Sequence, residues 1–387
     1  MRYSILAEAY RSMETTSKRL ELTDILVNLI KNTPIDLIKI VIYLTQGKLG
    51  PNYLGIELGI ADKSAIKSIS LATGINQQTI RDRYEQIGDL GKTAEEFMNK
   101  KMQSTLFSES LTVEKIYSIL NKISKTTGTG SLNFRLKLVG NILKNSAPLE
   151  SKYLMNTIIG KLRLGVADYT VIDSLAVAYT GDKSNRNIIE HAYNISSDLG
   201  YVAEILSKEG IEGVQKFRIE VGKPIRPMLA ERLDNSELIL QRVGGRCAVE
   251  YKIDGERLQI HKNGRNISIF SRRLENITTH YPDAIQLCID NIENRKCVLE
   301  AEAVAINVDS GEYLPFQDLM HRRRKHGINE AIKKYPIVLN FFDVLYVDKE
   351  DHTSKTYSER RKILEKTVKT NDRMKIINSI VTDNSHS

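Results

Sequence analysis

The sequence predicts two architectures in tandem: an all-helical part over residues 1–222, then an α+β part with antiparallel sheet over residues 223–387. Two observations carry this reading. Apolar residues recur every three or four positions from Met1 to about Gly222, the spacing of one helix face, and alternate thereafter, the spacing of a strand. Between the two regimes lies Val221–Arg232 (VGKPIRPMLAER), where Pro224 and Pro227 break any continuing pattern and mark a linker.

In the first part Tyr3, Leu6, Ala7, Tyr10 and Met13 share one face of a first helix, and Leu22, Ile25, Leu26, Leu29 and Ile30 one face of a second. Thr33 supplies an N-cap oxygen and Pro34 suits a first helical turn. The run Ile35–Gln46 follows, and Gly47 stops it in the left-handed conformation. Further helices are predicted at Leu132–Lys144, Leu149–Ile159, Tyr169–Tyr179 and Asn187–Leu199, with no repeat of fixed period. In the second part strands are predicted at Cys247–Ile253, Arg257–His261, Ile267–Phe270, Lys296–Asn307 and Pro336–Val347. Asn263-Gly264 is the expected hairpin turn, and helices are expected at Pro282–Asn291 and Ser358–Val368.

Composition narrows the class. With 41% hydrophobic and 27% charged residues the chain is globular rather than disordered. A net charge of +8 suits a polyanionic partner without requiring one. Cys247, Cys288 and Cys297 are odd in number and form no CxxC, which argues against a disulfide framework or a Cys-rich zinc site and for a reducing compartment. The most apolar run, Ile35–Leu44, carries Asp36 and Lys39 and falls short of the roughly 18 residues a membrane span needs. The N-terminus lacks a signal-peptide core, so a soluble, cytoplasmic protein is expected.

The most informative stretch is Glu250-Tyr251-Lys252-Ile253-Asp254-Gly255-Glu256-Arg257. On a strand Glu250 and Lys252 share one face, while Val249, Tyr251 and Ile253 point into the core. A solvated surface lysine is the ordinary reading of Lys252, since lysine is mostly exposed. Three further pieces follow in order: Phe270-Ser271-Arg272, Glu300-Ala301-Glu302 and Asn340-Phe341-Phe342-Asp343. Glu300 and Glu302 share a strand face, and paired carboxylates can hold a hard cation. Phe342 is either a core residue or a platform on which a base stacks.

The extended run EYKIDGER, FSRRLENITTHYPD, LEAEAVA, PFQDLMHRRRK and FFDVLY resembles the nucleotidyltransferase superfamily of ATP-dependent DNA ligases, RNA ligases and mRNA capping enzymes. Within it the chain is similar to ATP-dependent DNA ligases of the archaeal and eukaryotic replicative type. The segment TGTGSLNFRLKLVGNILKNSAPLESKYLMNTIIGKLRLGVADYTVIDSLA resembles the helical DNA-binding domain of that branch, which capping enzymes lack. The resemblance implies a DNA-binding domain over 1–222 and an adenylation domain over 223–387. It also implies sealing of nicked duplex DNA in replication, repair and recombination, with ATP and Mg²⁺ as cofactors.

The same resemblance assigns roles. Lys252 would attack the α-phosphate of ATP, and it must first be neutral; at an ordinary pKa near 10.4 only roughly one lysine in a thousand is neutral around neutral pH. Nearby cations such as Arg257 and Arg272 favour that form. Glu250 would take the adenine amino group, Arg257 and Arg272 the ribose and phosphate oxygens, Glu302 the ribose or a metal, and Phe342 would stack on adenine. Asp254 reads as a turn-former. Arg273 stands where the family usually has Asn, and Glu300 where relatives often have Asp. In the helical part Gly128, Gly130 and Ser131 open one helix, and Lys161, Arg163 and Gly165 lie before another. Free N–H groups at helix starts attract phosphates, so these loops are expected to contact the duplex backbone. The basic run His321–His326 is either a solvated surface or a further DNA contact.

The family pattern continues past Ser387 with a Glu-Gly strand, a Lys-x-Lys pair and an OB-fold domain. None of these is in the sequence, and Lys366 and Lys369, read as lying on the preceding helix, do not replace the pair. The expectation is therefore an incomplete adenylation domain, without the OB fold, whose own activity is weak or nil. The chain is expected to be monomeric, with a sliding clamp as a candidate partner. The alternatives are a non-catalytic DNA-binding truncation product and an RNA ligase or capping-type nucleotidyltransferase.

Overall fold

The computed structural model describes residues 1–102, 110–323 and 328–385. The chain divides into two compact units, Met1–Tyr193 with Asp198–Phe217, and Asn194–Ser197 with Arg218–Ser387.

The first unit is helical. Its helices are α1 (Tyr3–Glu14), α2 (Arg19–Lys31), α3 (Ile38–Thr45), α4 (Asp62–Thr73), α5 (Gln77–Ile87), α6 (Leu90–Met102), α7 (Val113–Lys125), α8 (Ser131–Lys144), α9 (Pro148–Ile158), α10 (Asp168–Thr180), α11 (Arg186–Ser196) and α12 (Leu199–Gln215). The predicted stripe of α1 is buried throughout, and that of α2 is buried except for Ile25, which packs at the margin of the core. The start of the third helix differs from expectation. Ile35–Leu37 form a 3₁₀ turn before α3, without a side-chain cap. Thr33 is unavailable as that cap, because its hydroxyl donates back to the Leu29 carbonyl at 2.7 Å and so closes α2. Buried Asp173 on α10 gathers Arg19, Lys183 and Arg186 at 2.9, 3.1 and 2.8 Å. Three cations around one carboxylate offset its desolvation.

The second unit contains two sheets. Its strands are β1 (Cys247–Glu250), β2 (Glu256–Asn263), β3 (Asn266–Ser271), β4 (Lys296–Ala305), β5 (Ile337–Val347), β6 (Glu350–Asp351), β7 (Met374–Ile376) and β8 (Ser379–Thr382). The six-stranded sheet runs β3-β2-β4-β5-β6, and β7 joins β5. Every pairing in it is antiparallel except β5 with β7, which is parallel. The β2–β3 connection is one residue later than predicted: Asn263 pairs with Asn266, so Gly264 and Arg265 form the turn, with Gly264 at φ +62°. The helices here are α13 (Ser236–Arg242), α14 (Pro282–Asn291), α15 (Phe316–Leu319), α16 (Ile328–Lys334) and α17 (Tyr357–Thr367).

Period-two alternation divides the large sheet into two faces. Leu258, Ile260, Leu299, Ala301, Ala303, Leu339 and Phe341 form its apolar face, in one core with residues of α14 and α17. The opposite face carries Arg257, Gln259, His261, Glu300 and Glu302. Among the described residues no helix is long and apolar enough to cross a membrane.

Candidate active site

The polar face is assembled by register. Antiparallel pairing of β2 with β4 sets Glu302 opposite Arg257 and Glu300 opposite Gln259. Arg257 Nε donates to one oxygen of Glu300 at 2.8 Å, and Gln259 Nε2 donates to the other at 2.8 Å. Glu300 is 1% exposed. Both of its oxygens are thus engaged inside the protein, so it anchors Arg257 instead of forming half of the cation-binding pair expected from Glu-x-Glu. Burial alone would lower the pKa of Arg257, but Glu300, Glu302 and Asp343 outweigh it and raise the value.

Glu302 is half-buried. Burial pushes its carboxyl above the ordinary value, against the opposing pull of Lys252, the Gly255 N–H and Arg257. Phe342 reaches this group through a β-bulge. Glu300 pairs with Asp343 and Ala301 with Phe341, which leaves Phe342 without an opposite number. Its ring is half-buried, with the Arg257 guanidinium 5.7 Å from the centroid. Phe341, rather than Phe342, is the core residue of the pair.

Lys252 lies just beyond β1, in an irregular stretch ending at Gly255. Glycine is required at 255 by close approach: a Cβ there would meet the Ala303 carbonyl oxygen at 2.3 Å. The β4 backbone therefore runs directly against the segment that carries the lysine. Lys252 is exposed, its Nζ donating to the Ile253 carbonyl at 3.3 Å. It lines a cleft of about 880 Å³ together with Tyr251, Asp254, Tyr313, Asn340 and Lys375. Tyr313 Oη donates to Asn340 Oδ1 at 2.8 Å, and Lys375 Nζ stands 5.7 Å from the Tyr313 ring centroid.

Three expectations are corrected. Val249 and Tyr251 do not enter the core; they are 52% and 73% exposed. The reason is topological, because β1 leaves the large sheet and pairs only with β8, in a two-stranded sheet. Lys369 is not on the preceding helix, since α17 ends at Thr367 and only Lys366 lies on it. Arg322, from the basic run, is neither a solvated nor a DNA-facing residue. It is fully buried, ion-paired with Asp283 at 2.5 Å, and its guanidinium lies 5.1 Å from the Tyr281 ring. Arg324, Lys325 and His326 lie outside the described residues.

The structure thus gathers Lys252, Arg257, Glu302 and Phe342. Among the described residues no hydrogen bond or ion pair joins Glu250 or Arg272 to that group. Glu250 instead accepts from Tyr357 Oη at 2.5 Å and Arg361 Nη1 at 3.3 Å, both on α17. Arg272 and Arg273 are exposed in the turn after β3, where Ser271 Oγ accepts the Arg273 N–H at 3.2 Å. Gln259, Tyr313 and Lys375 were not singled out from the sequence, and Asn340 was named only within the Asn340-Phe341-Phe342-Asp343 piece, without a role. Lys375 could have been, as a charged residue between Met374 and Ile376 on a short strand.

In the helical unit Gly128 and Gly130 take φ +92° and +79° immediately before α8, and the Ser131 N–H bonds the Gly128 carbonyl at 3.2 Å. Exposed Leu132 and Phe134 follow, with Lys122 Nζ 5.3 Å from the Phe134 ring centroid. Arg163 and Gly165 are exposed in the loop before α10. Lys161 in the same loop is ion-paired with Asp62 at 3.0 Å. Exposed pairs of this kind are weak, so an incoming phosphate can compete for the lysine.

Comparison with known proteins bears on both units. Residues 2–176 match the family model described as DNA ligase N terminus, and residues 227–387 the one described as ATP dependent DNA ligase domain. The chain is 47% identical to a DNA ligase of Nitrosopumilus maritimus, over 100% of this chain and 66% of that one. It is 45% identical to a DNA ligase of Saccharolobus solfataricus, over 99% of this chain and 65% of that one. A solved structure described as Pmar-Lig_Pre is similar in fold over 98% of this chain and 67% of its own, with a TM-score of 0.54 at 15% identity. The chain spans about two thirds of the length of the curated relatives it matches. It belongs to the ATP-dependent DNA ligase family.

Proposed function

We propose that this chain carries the self-adenylylation chemistry and the duplex-binding surface of an ATP-dependent DNA ligase acting on nicked DNA. The observation that carries the proposal is the grouping of Arg257, Glu302 and Phe342 on the polar face of the large sheet, with Lys252 electrostatically coupled to Glu302 and lining the cleft that Asn340, the β5 partner of Glu302, also lines.

Lys252 Nζ, once deprotonated, attacks the α-phosphorus of ATP. A P–N bond forms, the bond to the bridging oxygen breaks, and pyrophosphate leaves with the electron pair. The nick's 5′-phosphate then displaces the lysine from the adenylyl phosphorus. The adjoining 3′-hydroxyl attacks the activated 5′-phosphate, loses its proton and expels AMP. Arg257 is held by Glu300 with its guanidinium beside the ring of Phe342, an arrangement suited to phosphate or ribose oxygens next to a stacked base. Glu250 and Arg272 are the further nucleotide contacts proposed, Glu250 for the adenine amino group. The carboxylate of Glu250 would be shared with, or released from, Tyr357 and Arg361.

Glu302 is a suitable ligand for Mg²⁺, being a half-buried carboxylate whose charge the protein only partly offsets. Among the described residues no group of three His, Cys, Asp or Glu side chains is placed to hold a metal ion by itself. Mg²⁺ usually takes one or two carboxylates and fills its shell with phosphates and water, so Glu302 would hold it together with the ATP phosphates, whose charge it would neutralise.

In the helical unit, Gly128, Gly130, Ser131, Lys161, Arg163 and Gly165 are proposed to grip the duplex backbone. Such contacts give affinity without reading sequence, as sealing of any nick requires. The test is incubation of the full-length protein with labelled ATP or GTP in Mg²⁺. Label on Lys252 from ATP alone supports the proposal; label from GTP alone, or none, refutes it.

A further inference from the structure

We infer that Gln259 and His261 are positioning residues that hold Arg257 in its working orientation, by linking Glu300 to the backbone of the Gly222–Ile225 segment. The inference rests on the nucleotide site proposed above and extends it to residues that touch no nucleotide.

The connections form one unbroken chain. The Gly222 N–H donates to His261 Nδ1 at 3.0 Å. Burial holds the His261 imidazole down to about 3, so the ring is neutral and Nδ1 is free to accept. The tautomer follows: Nε2 carries the proton and donates to Gln259 Oε1 at 2.9 Å. The same Oε1 accepts the Ile225 N–H at 2.7 Å. On the other side of the amide, Nε2 donates to the Ile225 carbonyl at 2.9 Å and to Glu300 at 2.8 Å. Glu300 in turn accepts from Arg257 at 2.8 Å.

Only one orientation of the Gln259 amide satisfies this site. Its oxygen faces two donors and its nitrogen faces two oxygens, so a flip would set donor against donor and acceptor against acceptor. Gln259 and His261 are 5% and 1% exposed. No solvent is at hand to replace a lost partner, and each broken link leaves a buried polar group unpaired. The His261 ring is further fixed edge-on to Phe270, with centroids 5.0 Å apart. Arg257, Gln259 and His261 alternate along β2 on one face, so the strand itself delivers the relay in register.

A residue that only stabilised the fold would act on nucleotide binding independently of Arg257. A positioning residue acts through it. The experiment is a double-mutant cycle on ATP affinity, measured by calorimetry on the intact chain, with Gln259→Met, Arg257→Ala and the pair, and a thermal melt of each variant. Gln259→Met keeps the approximate volume and removes all four hydrogen bonds. It is expected to weaken ATP binding about tenfold, which is about 1.4 kcal/mol, and by less than about twofold further once Arg257 is alanine. His261→Asn keeps an acceptor for the Gly222 N–H but loses the donor to Gln259. It is expected to show a smaller loss with the same dependence on Arg257, and serves as the second test if Gln259→Met does not fold. Equal effects of either variant in both Arg257 backgrounds, or a lowered melting temperature with unchanged affinity, overturn the inference. Absence of ATP binding by the unmutated chain is a different result: it removes the nucleotide-site proposal, and this inference with it.

Discussion

Gly255→Ala is the sharpest perturbation of the proposed site, because its geometry is set by backbone rather than by a movable side chain. The added Cβ would lie 2.3 Å from the Ala303 carbonyl oxygen and 2.9 Å from Val304 Cγ2. An ordinary C···O separation is about 3.3 Å, so the segment or β4 has to give by about 1 Å. β4 is the central strand, bonded to β2 and β5, so the displacement falls mainly on the segment preceding β2. That segment carries Lys252, and the Gly255 N–H bonds Glu302. Overpacking of this kind costs about 1–3 kcal/mol of stability. Misplacing a reacting group by about 1 Å costs about a hundredfold in rate. The assay is the rate of AMP transfer to the Lys252 peptide, followed by mass spectrometry, beside a thermal melt. The expected result is a lower melting temperature and an adduct rate down by about two orders of magnitude. A variant with both unchanged would refute the close-approach account of the Asp-Gly turn.

The pKa of Glu302 is raised on folding, mainly by burial. The folded state therefore holds more protons between the unfolded and folded values, and stability falls as pH rises through that window and stays lower above it. Glu302→Gln should melt higher than the parent at neutral pH, with the advantage vanishing below about pH 4; an advantage that persists in acid contradicts the assignment. The pKa of Asp173 shifts the other way: burial opposes, but Lys183, Arg186 and Arg19 lower it. Its stabilisation is present above the unfolded carboxylate value and lost as pH falls through the folded one. Asp173→Ala should cost about 3 kcal/mol at neutral pH in urea unfolding, less in acid, and a loss independent of pH would exclude the ion-pair cluster as the cause. Arg163→Ala should weaken binding to nicked duplexes of any sequence and reduce the slope of log K against log salt by about 0.9. An unchanged slope would remove Arg163 from the phosphate contacts.

Much of this was legible in the chain. The stripe Tyr3, Leu6, Ala7, Tyr10 and Met13 is buried as a unit, since a helix face is a local property of spacing. The order of motifs also placed Arg257, Glu302 and Phe342 on strands that become neighbours. What was not legible depends on long-range register. The exposure of Val249 and Tyr251 follows from pairing of β1 with β8, more than a hundred residues away in sequence. The bulge that turns Phe342 toward Arg257 exists only in the pairing of β4 with β5. Glu300 looked like a metal ligand because its sequence does not reveal that Gln259 and Arg257 occupy both oxygens. Arg322 read as a surface cation until the Asp283 carboxylate and the Tyr281 ring came beside it.

The central claim is that Lys252 becomes covalently adenylylated. The most direct measurement is peptide mass mapping of the full-length protein after incubation with ATP and Mg²⁺, with Lys252→Ala in parallel. An adenylyl mass on the peptide containing Lys252, absent from the variant and released as AMP by acid, is the predicted result. An unmodified Lys252 peptide, or an adduct that survives Lys252→Ala, would contradict the account.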